Sequence, residues 1–166
     1  MDISLSTRLP VLKETKSFIK VAVPHGDSAY LSAQVATVYK TESAIPYPTS
    51  DDLVNTARKF LGLPYLWGSA SGYGVDCSGF THTIYDSHGI SIARDASAQA
   101  EFTGHGVQVA QDDLQPADLI FYASNLSNPS SIYHVAMYVG NGEMAEAYAA
   151  GTPVRITPVR FGDEYW

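Results

Sequence analysis

After residue 50, the hydrophobic pattern of this chain changes from helical to strand period, and that change constrains the fold more than any other feature. Between residues 50 and 104 the apolar residues recur at helical spacing, whereas from residue 119 onward they alternate as in β-strands. Three helices are predicted, starting at Ser50, at Asp76 or Cys77, and at Asp95, the last ending near Phe102 and closed by Gly104. Four strands are predicted, over 119–122, 132–139, 144–148 and 154–157. Helices followed by strands predict an α+β domain with an antiparallel sheet.

The first predicted helix shows both its start and its buried face. Ser50 is the predicted N-cap, because Asp51 and Asp52 then fall in the first turn, where carboxylates stabilise the positive end of the helix dipole. The residues predicted to face inward follow at helical spacing: Leu53, Ala57, Phe60 and Leu61.

A proline-rich segment divides the chain ahead of that helix. Pro46 and Pro48 disfavour both helix and central strand, so the segment that holds them is predicted to be a stiff linker. Residues 18–23 alternate weakly, residues 24–27 form a turn signal, and residues 29–39 are rich in β-branched and aromatic side chains, which predicts a small β unit. The predicted organisation is a β unit over 1–45, a linker over 46–49 and a second domain over 50–166.

The composition excludes several classes of partner. The 166 residues are 45% hydrophobic and 16% charged, which is typical of a folded globular protein. The net charge is −7 and Lys and Arg are not clustered, so nucleic acid is not an expected partner. No apolar run approaches the roughly 20 residues of a membrane-spanning helix, so no membrane span is expected.

Cys77, the only cysteine, is the candidate catalytic nucleophile. It lies at the start of the second predicted helix, where the helix dipole, together with a nearby imidazole, favours a thiolate. An isolated cysteine is more often a small buried hydrophobic residue, but the neighbouring Asp76, Ser78 and glycines favour the nucleophile here. His134, on the second predicted strand, is the candidate general base, and the alternative is a core histidine satisfied by hydrogen bonds.

A catalytic histidine needs a third group that fixes its ring and tautomer, and Glu146 is the candidate. A two-residue turn of Asn141 and Gly142 would place Glu146 on the sheet face opposite His134. A three-residue loop over 140–142 would place both on one face as diagonal neighbours, about 7 to 8 Å apart. We predict the second register, and the alternative role for Glu146 is a solvated strand carboxylate.

Two aromatic residues, Tyr65 and Trp67, lie shortly before the nucleophile. A core position is the favoured interpretation for Trp67. For Tyr65 the alternative to a core position is a hydroxyl near the oxyanion that develops in the reaction, beside the backbone N–H of Cys77.

Taken together, these motifs resemble those of the NlpC family of cell-wall cysteine peptidases over about residues 51–156. The matching segments are Pro64-Tyr65-Leu66-Trp67-Gly68, Asp76-Cys77-Ser78-Gly79-Phe80, Arg94 with Gln99, Ala117-Asp118-Leu119-Ile120-Phe121, and His134-Val135-Ala136-Met137-Tyr138. Two positions depart from the family pattern. Ala117 replaces a usual glycine, and Glu146 stands where a histidine is common.

The resemblance implies a papain-like core that hydrolyses peptidoglycan stem peptides, usually between D-γ-glutamate and the following diamino acid. Cys77 would attack the carbonyl, His134 would move the proton, and water would hydrolyse the thioester, with no metal or cofactor. The resemblance also implies that Asp76 binds a free N-terminal L-alanine amine and that Ser78 contacts the substrate, with Trp67 as a further candidate for substrate binding.

The β unit is similar to the last part of a bacterial SH3-like module, in a truncated or reduced form. The leading hypothesis is therefore a γ-D-glutamyl endopeptidase, and the alternatives are a catalytically silent wall-binding module or an amidase or acyltransferase on the same core. The chain start lacks the features of a secretion signal, so we expect either a cytoplasmic protein or one whose signal was removed. The resemblance favours export or attachment to the cell envelope, whereas recycling of murein peptides would be cytoplasmic.

Overall fold

The computed structural model describes residues 3–101 and 106–161, and it begins with a small antiparallel sheet. Its strands are β1 (Val11–Glu14), β2 (Phe18–Ala22) and β3 (Ser28–Ser32), in the order β1-β2-β3. The predicted β unit is therefore present, but β3 ends at Ser32 instead of continuing to Tyr39. The sequence did not predict β1, because all four of its residues are exposed and give no inward-outward alternation.

The first helix, α1 (Ser50–Arg58), starts one residue earlier than its predicted cap requires. Thr49 is the N-cap, so the prediction of Ser50 is wrong. The Thr49 side chain accepts a hydrogen bond from the Asp52 N–H, and the Asp52 carboxylate accepts one in return from the Thr49 N–H. Leu61 is also wrongly predicted, since it is 43% exposed after the end of the helix.

A short hairpin and two further helices follow. Strands β4 (Ala70–Ser71) and β5 (Gly74–Val75) pair ahead of α2 (Cys77–Ser87), and α3 (Ala96–Glu101) comes next. The hairpin strands have two residues each, which is too short for a periodic signal in the sequence. Helix α2 confirms the predicted second helix, and the predicted end of the third, at Phe102 and Gly104, lies outside the described residues.

The second half of the chain forms a four-stranded antiparallel sheet in the order β6-β7-β8-β9. The strands are β6 (Leu119–Ala123), β7 (Ile132–Gly140), β8 (Glu143–Glu146) and β9 (Arg155–Pro158). All four were predicted within two residues at each end. Helices α2 and α3 pack against β7, which confirms the α+β class.

The β7-β8 hairpin has the predicted register but reaches it in a different way. Asn141 and Gly142 alone form the turn, both with positive φ, and Gly140 still pairs with Glu143. A bulge between Tyr138 and Gly140 then adds one residue to β7. The three-residue loop is therefore wrong, whereas the register that it was meant to produce is confirmed by the Tyr138-Met144 pair.

The segment that precedes β1 contacts α2 and the β4-β5 turn through ionic and polar groups. Arg8 donates to the Asp86 carboxylate at 2.8 Å and to its backbone carbonyl at 3.0 Å, and Ser6 donates to the same carboxylate. The Gly72 N–H in the β4-β5 turn donates to the Ser4 hydroxyl at 2.9 Å. No helix in the described part of the chain combines the length and the apolar character needed to cross a membrane.

Candidate active site

Cys77 is the first residue of α2 and is 9% exposed. Asp76 is the N-cap, and its carboxylate accepts a hydrogen bond from the Gly79 N–H at 2.7 Å. Gly79 lies in the first turn, and a Cβ there would come within 2.2 Å of the Ser69 carbonyl oxygen. The glycine is therefore needed where α2 passes the preceding loop, and the cap fixes the direction in which Cys77 leaves that loop.

The Asp76 carboxylate has further partners that hold the nucleophile loop. Arg94 donates to its two oxygens at 2.9 and 2.7 Å, and the Gly68 N–H donates to it at 2.8 Å. Burial raises the pKa of Asp76, but the hydrogen bonds from Arg94 and Gly79 outweigh it and lower the pKa below its usual range. Asp76 is thus an ionised carboxylate that joins the loop to the helix.

Opposing effects act on the pKa of the Cys77 thiol. Burial raises its pKa, and the charge of Asp76 raises it further. Hydrogen bonds from the Val135 N–H and from the first N–H groups of α2 act in the opposite direction. The N–H groups at the helix start lower the pKa of the thiol, as the helix dipole predicts, but burial and the charge of Asp76 outweigh them.

His134 and Glu146 form the hydrogen-bonded pair that the register prediction anticipates. His134 Nε2 lies 2.9 Å from Glu146 Oε2, and the two residues are 2% and 0% exposed. Val135, the next residue on β7, packs in one cluster with Cys77 and Ala96. The start of β7 therefore lies beside the nucleophile.

Two arginines that the sequence analysis missed complete the surroundings of Glu146. Arg155 donates to Oε1 at 3.0 and 3.2 Å, and Arg160 donates to Oε1 at 3.2 Å and to Oε2 at 3.0 Å. Burial raises the pKa of Glu146, but hydrogen bonds from His134 and Arg160 outweigh it and lower the pKa to about 2. The alternative of a solvated carboxylate is wrong, because Glu146 is buried and ionised.

Arg155 could have been found from the sequence. It lies directly opposite Glu146 in the β8-β9 pairing, and opposite charges in facing positions stabilise an antiparallel pair. Arg160 follows β9 in an irregular segment, where no periodic pattern specifies a side-chain direction.

The remaining candidates lie around the nucleophile loop, with different exposure. Tyr65 is half-buried and pairs with Val75, and burial together with the nearby Cys77 and Asp76 raises its pKa. Trp67 is 85% exposed, so the prediction of a core position for it is wrong. Ser78 is buried, and its hydroxyl accepts a hydrogen bond from Arg94 at 3.0 Å.

The site has no grouping suited to a metal. Within residues 3–101 and 106–161, no three or more His, Cys, Asp or Glu side chains are arranged so that they could hold a metal ion.

Comparison with protein families gives two matches that together span most of the chain. Residues 62–166 match the model of the NlpC/P60 family, and residues 1–39 match the model described as the YKFC SH3b2 domain. The chain is 46% identical to a Bacillus cereus protein and 36% identical to a Bacillus subtilis protein, both named gamma-D-glutamyl-L-lysine dipeptidyl-peptidase. The matches cover 96% and 94% of this chain but 46% and 50% of those proteins, so the chain spans about half their length.

Solved structures give the same similarity. A crystal structure of an NlpC/P60 family protein from Bacillus cereus superposes with a TM-score of 0.86 at 47% identity, over 93% of this chain and 49% of that one. The NlpC/p60 domain of the peptidoglycan hydrolase SagA superposes with a TM-score of 0.62 at 30% identity, over 71% of this chain and 97% of that domain. The first of these covers the small sheet as well as the second domain.

Proposed function

The chain belongs to the NlpC/P60 family, and on that premise we propose that it is a cysteine peptidase that cleaves peptidoglycan stem peptides after D-γ-glutamate. The observation that carries the proposal is a buried cysteine at a helix start, next to a strand that carries a histidine hydrogen-bonded to a buried carboxylate. The names of the two Bacillus relatives support lysine as the diamino acid that follows the cleaved bond.

The hydrogen bond to Glu146 supports a specific proton arrangement on His134. Because Glu146 is ionised, it only accepts, so the Nε2 of a neutral His134 carries the proton and donates it. Nδ1 then has the free lone pair of a general base. It would take the proton from the Cys77 thiol as the sulfur attacks the carbonyl carbon.

The later steps follow from the same groups. The imidazolium returns its proton to the leaving amine as the C–N bond breaks, which leaves a thioester on Cys77. Water then attacks the thioester carbonyl with His134 as the base, and the acid product and the free thiol are released. The backbone N–H of Cys77 and the Tyr65 hydroxyl are the proposed donors to the oxyanion.

Substrate recognition is proposed for three residues beside the nucleophile. Asp76 is the proposed partner of the free L-alanine amine, which would join the donors that already surround its ionised carboxylate. Ser78 would contribute beside it. Trp67 is a further proposed substrate-binding residue, since its ring is exposed and lies in the loop ahead of α2.

We also propose that the chain is divided into an SH3-like unit over residues 1–45, a linker over 46–49 and a peptidase domain over 50–166. The family match over 1–39 and the three-stranded sheet support a separate SH3-like unit. Export or attachment to the cell envelope is the proposed location, supported by a family whose structural neighbours include peptidoglycan hydrolases.

The test is cleavage of L-Ala-γ-D-Glu-L-Lys by the wild type and by Cys77→Ala, followed by mass spectrometry. We expect the wild type to give L-Ala-D-Glu and free lysine, whose masses together exceed that of the tripeptide by one water. Cys77→Ala should lose at least about 1,000-fold in kcat/KM. Equal activity in both proteins would contradict the proposal. A product that carries an added acceptor would indicate an acyltransferase instead.

A second measurement separates a peptidase from a silent binder. The rate of Cys77 alkylation by iodoacetamide at neutral pH reports whether His134 activates the thiol, without any need for substrate. A thiol as slow as that of the unfolded chain, together with no cleavage, would favour a wall-binding module.

A further inference from the structure

Arg155 and Arg160 both bind Glu146 Oε1, and Arg160 binds Oε2 as well. Arg155 donates to Oε1, through Nε at 3.2 Å and Nη2 at 3.0 Å. Arg160 donates to Oε1 at 3.2 Å and to Oε2 at 3.0 Å. Oε2 is also the oxygen 2.9 Å from His134 Nε2, so Arg160 shares an acceptor atom with the general base.

Arg160 also contacts the two rings that flank the base. Tyr122 stacks on the His134 ring at a centroid distance of 5.7 Å, and Tyr148 meets its edge at 5.5 Å. The Arg160 guanidinium lies 4.7 Å from the Tyr122 ring centroid and 5.0 Å from that of Tyr148. One side chain therefore binds the carboxylate under the imidazole and both of its aromatic neighbours.

We propose that Arg160 is a positioning residue for His134, which it orients through Glu146 Oε2 and through the rings of Tyr122 and Tyr148. Arg155 supports the arrangement through Oε1, which Arg160 also binds, and through the Tyr148 ring, whose centroid lies 5.3 Å away. The inference rests on the proposed cysteine peptidase function, in which His134 is the base.

The two guanidiniums also explain the carboxylate at position 146. Together they direct four hydrogen bonds at Glu146, and a bidentate guanidinium fits a carboxylate in both charge and geometry. A histidine at this position would offer one lone pair to the same donors. Glu146, which stands where the family pattern often has histidine, is thus accompanied by two cations that bind it, Arg155 on β9 and Arg160 just after β9.

The charge of Arg160 sets the electrostatic field at the imidazole. The charged and titratable groups around His134 are Cys77 of α2, Tyr122 of β6, Glu146 of β8, Tyr148 after β8, Arg155 of β9 and Arg160 after β9. Removing Arg160 leaves the Glu146 charge less compensated, which favours the protonated imidazole. The limb of the pH profile that reports this protonation therefore moves to higher pH.

The experiment compares Arg160→Gln, Arg160→Lys and Arg155→Gln in kcat/KM for the tripeptide and in the rate of Cys77 alkylation, both as functions of pH. For Arg160→Gln we expect about a 10-fold loss of kcat/KM, mostly in kcat, and an upward shift of that limb by about 0.5 to 1 pH unit. Arg160→Lys keeps the positive charge but loses the two-pronged guanidinium geometry. The limb of the pH profile should therefore return to its wild-type pH, while kcat recovers only in part. Arg155→Gln should lose about threefold, because Arg155 binds Oε1 and lies 5.3 Å from the Tyr148 ring centroid, but it does not bind Oε2.

Two results would overturn the inference. The first is a wild-type rate and pH profile in Arg160→Gln. The second is a loss of rate that follows the unfolded fraction from chemical denaturation, with no movement of the limb, because that is the signature of a structural role alone. A shifted alkylation profile in a protein that cleaves no tripeptide would refute the proposed substrate and leave the role of Arg160 standing.

Discussion

Two buried carboxylates lie next to the proposed catalytic residues Cys77 and His134, and they are held mainly by different kinds of donor. Asp76, beside Cys77, accepts from the backbone N–H groups of Gly68 and Gly79, from one arginine, Arg94, and more weakly from the Ser78 hydroxyl at 3.4 Å. Glu146, beside His134, accepts hydrogen bonds from side chains: His134, Arg155, Thr157 and Arg160.

The donors determine what each carboxylate controls. Backbone donors belong to the loop and the helix themselves, so Asp76 fixes the path of the chain through Cys77. Side-chain donors fix ring orientation and charge, so Glu146 fixes the tautomer of His134. Loss of Asp76 should therefore reduce mainly the free energy of unfolding, whereas loss of Glu146 should reduce mainly the catalytic rate.

The largest effect on stability is expected for Asp76→Ala. The substitution leaves two backbone N–H groups and the Arg94 guanidinium without their acceptor, which should lower the free energy of unfolding by about 4 kcal/mol. Urea denaturation measures the change. The matched control is Thr49→Ala, which removes an exposed N-cap from α1 and should cost about 1 kcal/mol. Equal costs would mean that Asp76 is only a helix cap.

A smaller effect on stability is expected for Glu146→Gln, and it should depend on pH. The pKa of Glu146 is lowered from 4.5 to about 2, so the ionised form stabilises the folded state. At about 1.4 kcal/mol per pH unit this gives roughly 3 kcal/mol, which solvent around the two partly exposed arginines reduces to about 2 kcal/mol.

The sign of that dependence follows from the lowered pKa. The contribution is fully present above about pH 4.5, where Glu146 is ionised even in the unfolded chain, and it is lost as the pH falls toward about 2. Denaturation curves of the wild type and Glu146→Gln should therefore converge between pH 4.5 and pH 2. A constant difference across that range would show that the ionisation of Glu146 does not stabilise the fold.

The sequence predicts the elements at the site well, because each has a local signal. The start of α2 follows from a capping aspartate before an apolar helical pattern. Strand β7 follows from a run rich in β-branched and aromatic residues around His134, of which residues 134–137 are all buried. The shared face of His134 and Glu146 could also be predicted, since only two registers were open to the hairpin. The bulge that produces the register could not be predicted, because Gly140 suits a loop and a bulge equally.

Exposure and long-range partners are harder to predict. Trp67 is a large aromatic residue of the kind that usually packs in a core, but its side chain is exposed. Local sequence does not predict how a loop packs against the rest of the protein. Ala117 shows a similar limit, since its backbone φ is 80°, a conformation that favours glycine. In this left-handed region alanine costs about 1 kcal/mol more than glycine, which the sequence alone does not reveal.

The smallest expected changes in the free energy of unfolding come from removing one arginine from each carboxylate. Arg94 is the one arginine bound to Asp76, and Arg94→Gln should lower the free energy of unfolding by about 1.5 kcal/mol because the carboxylate then depends on neutral donors. Arg155→Gln should cost less than about 0.5 kcal/mol, because Arg155 is 40% exposed in its side chain and Arg160 still binds Glu146. Urea denaturation of both variants at pH 7 measures the difference. If Arg155→Gln costs as much as Arg94→Gln, the second cation at Glu146 offers no redundancy, and the two carboxylates are held alike.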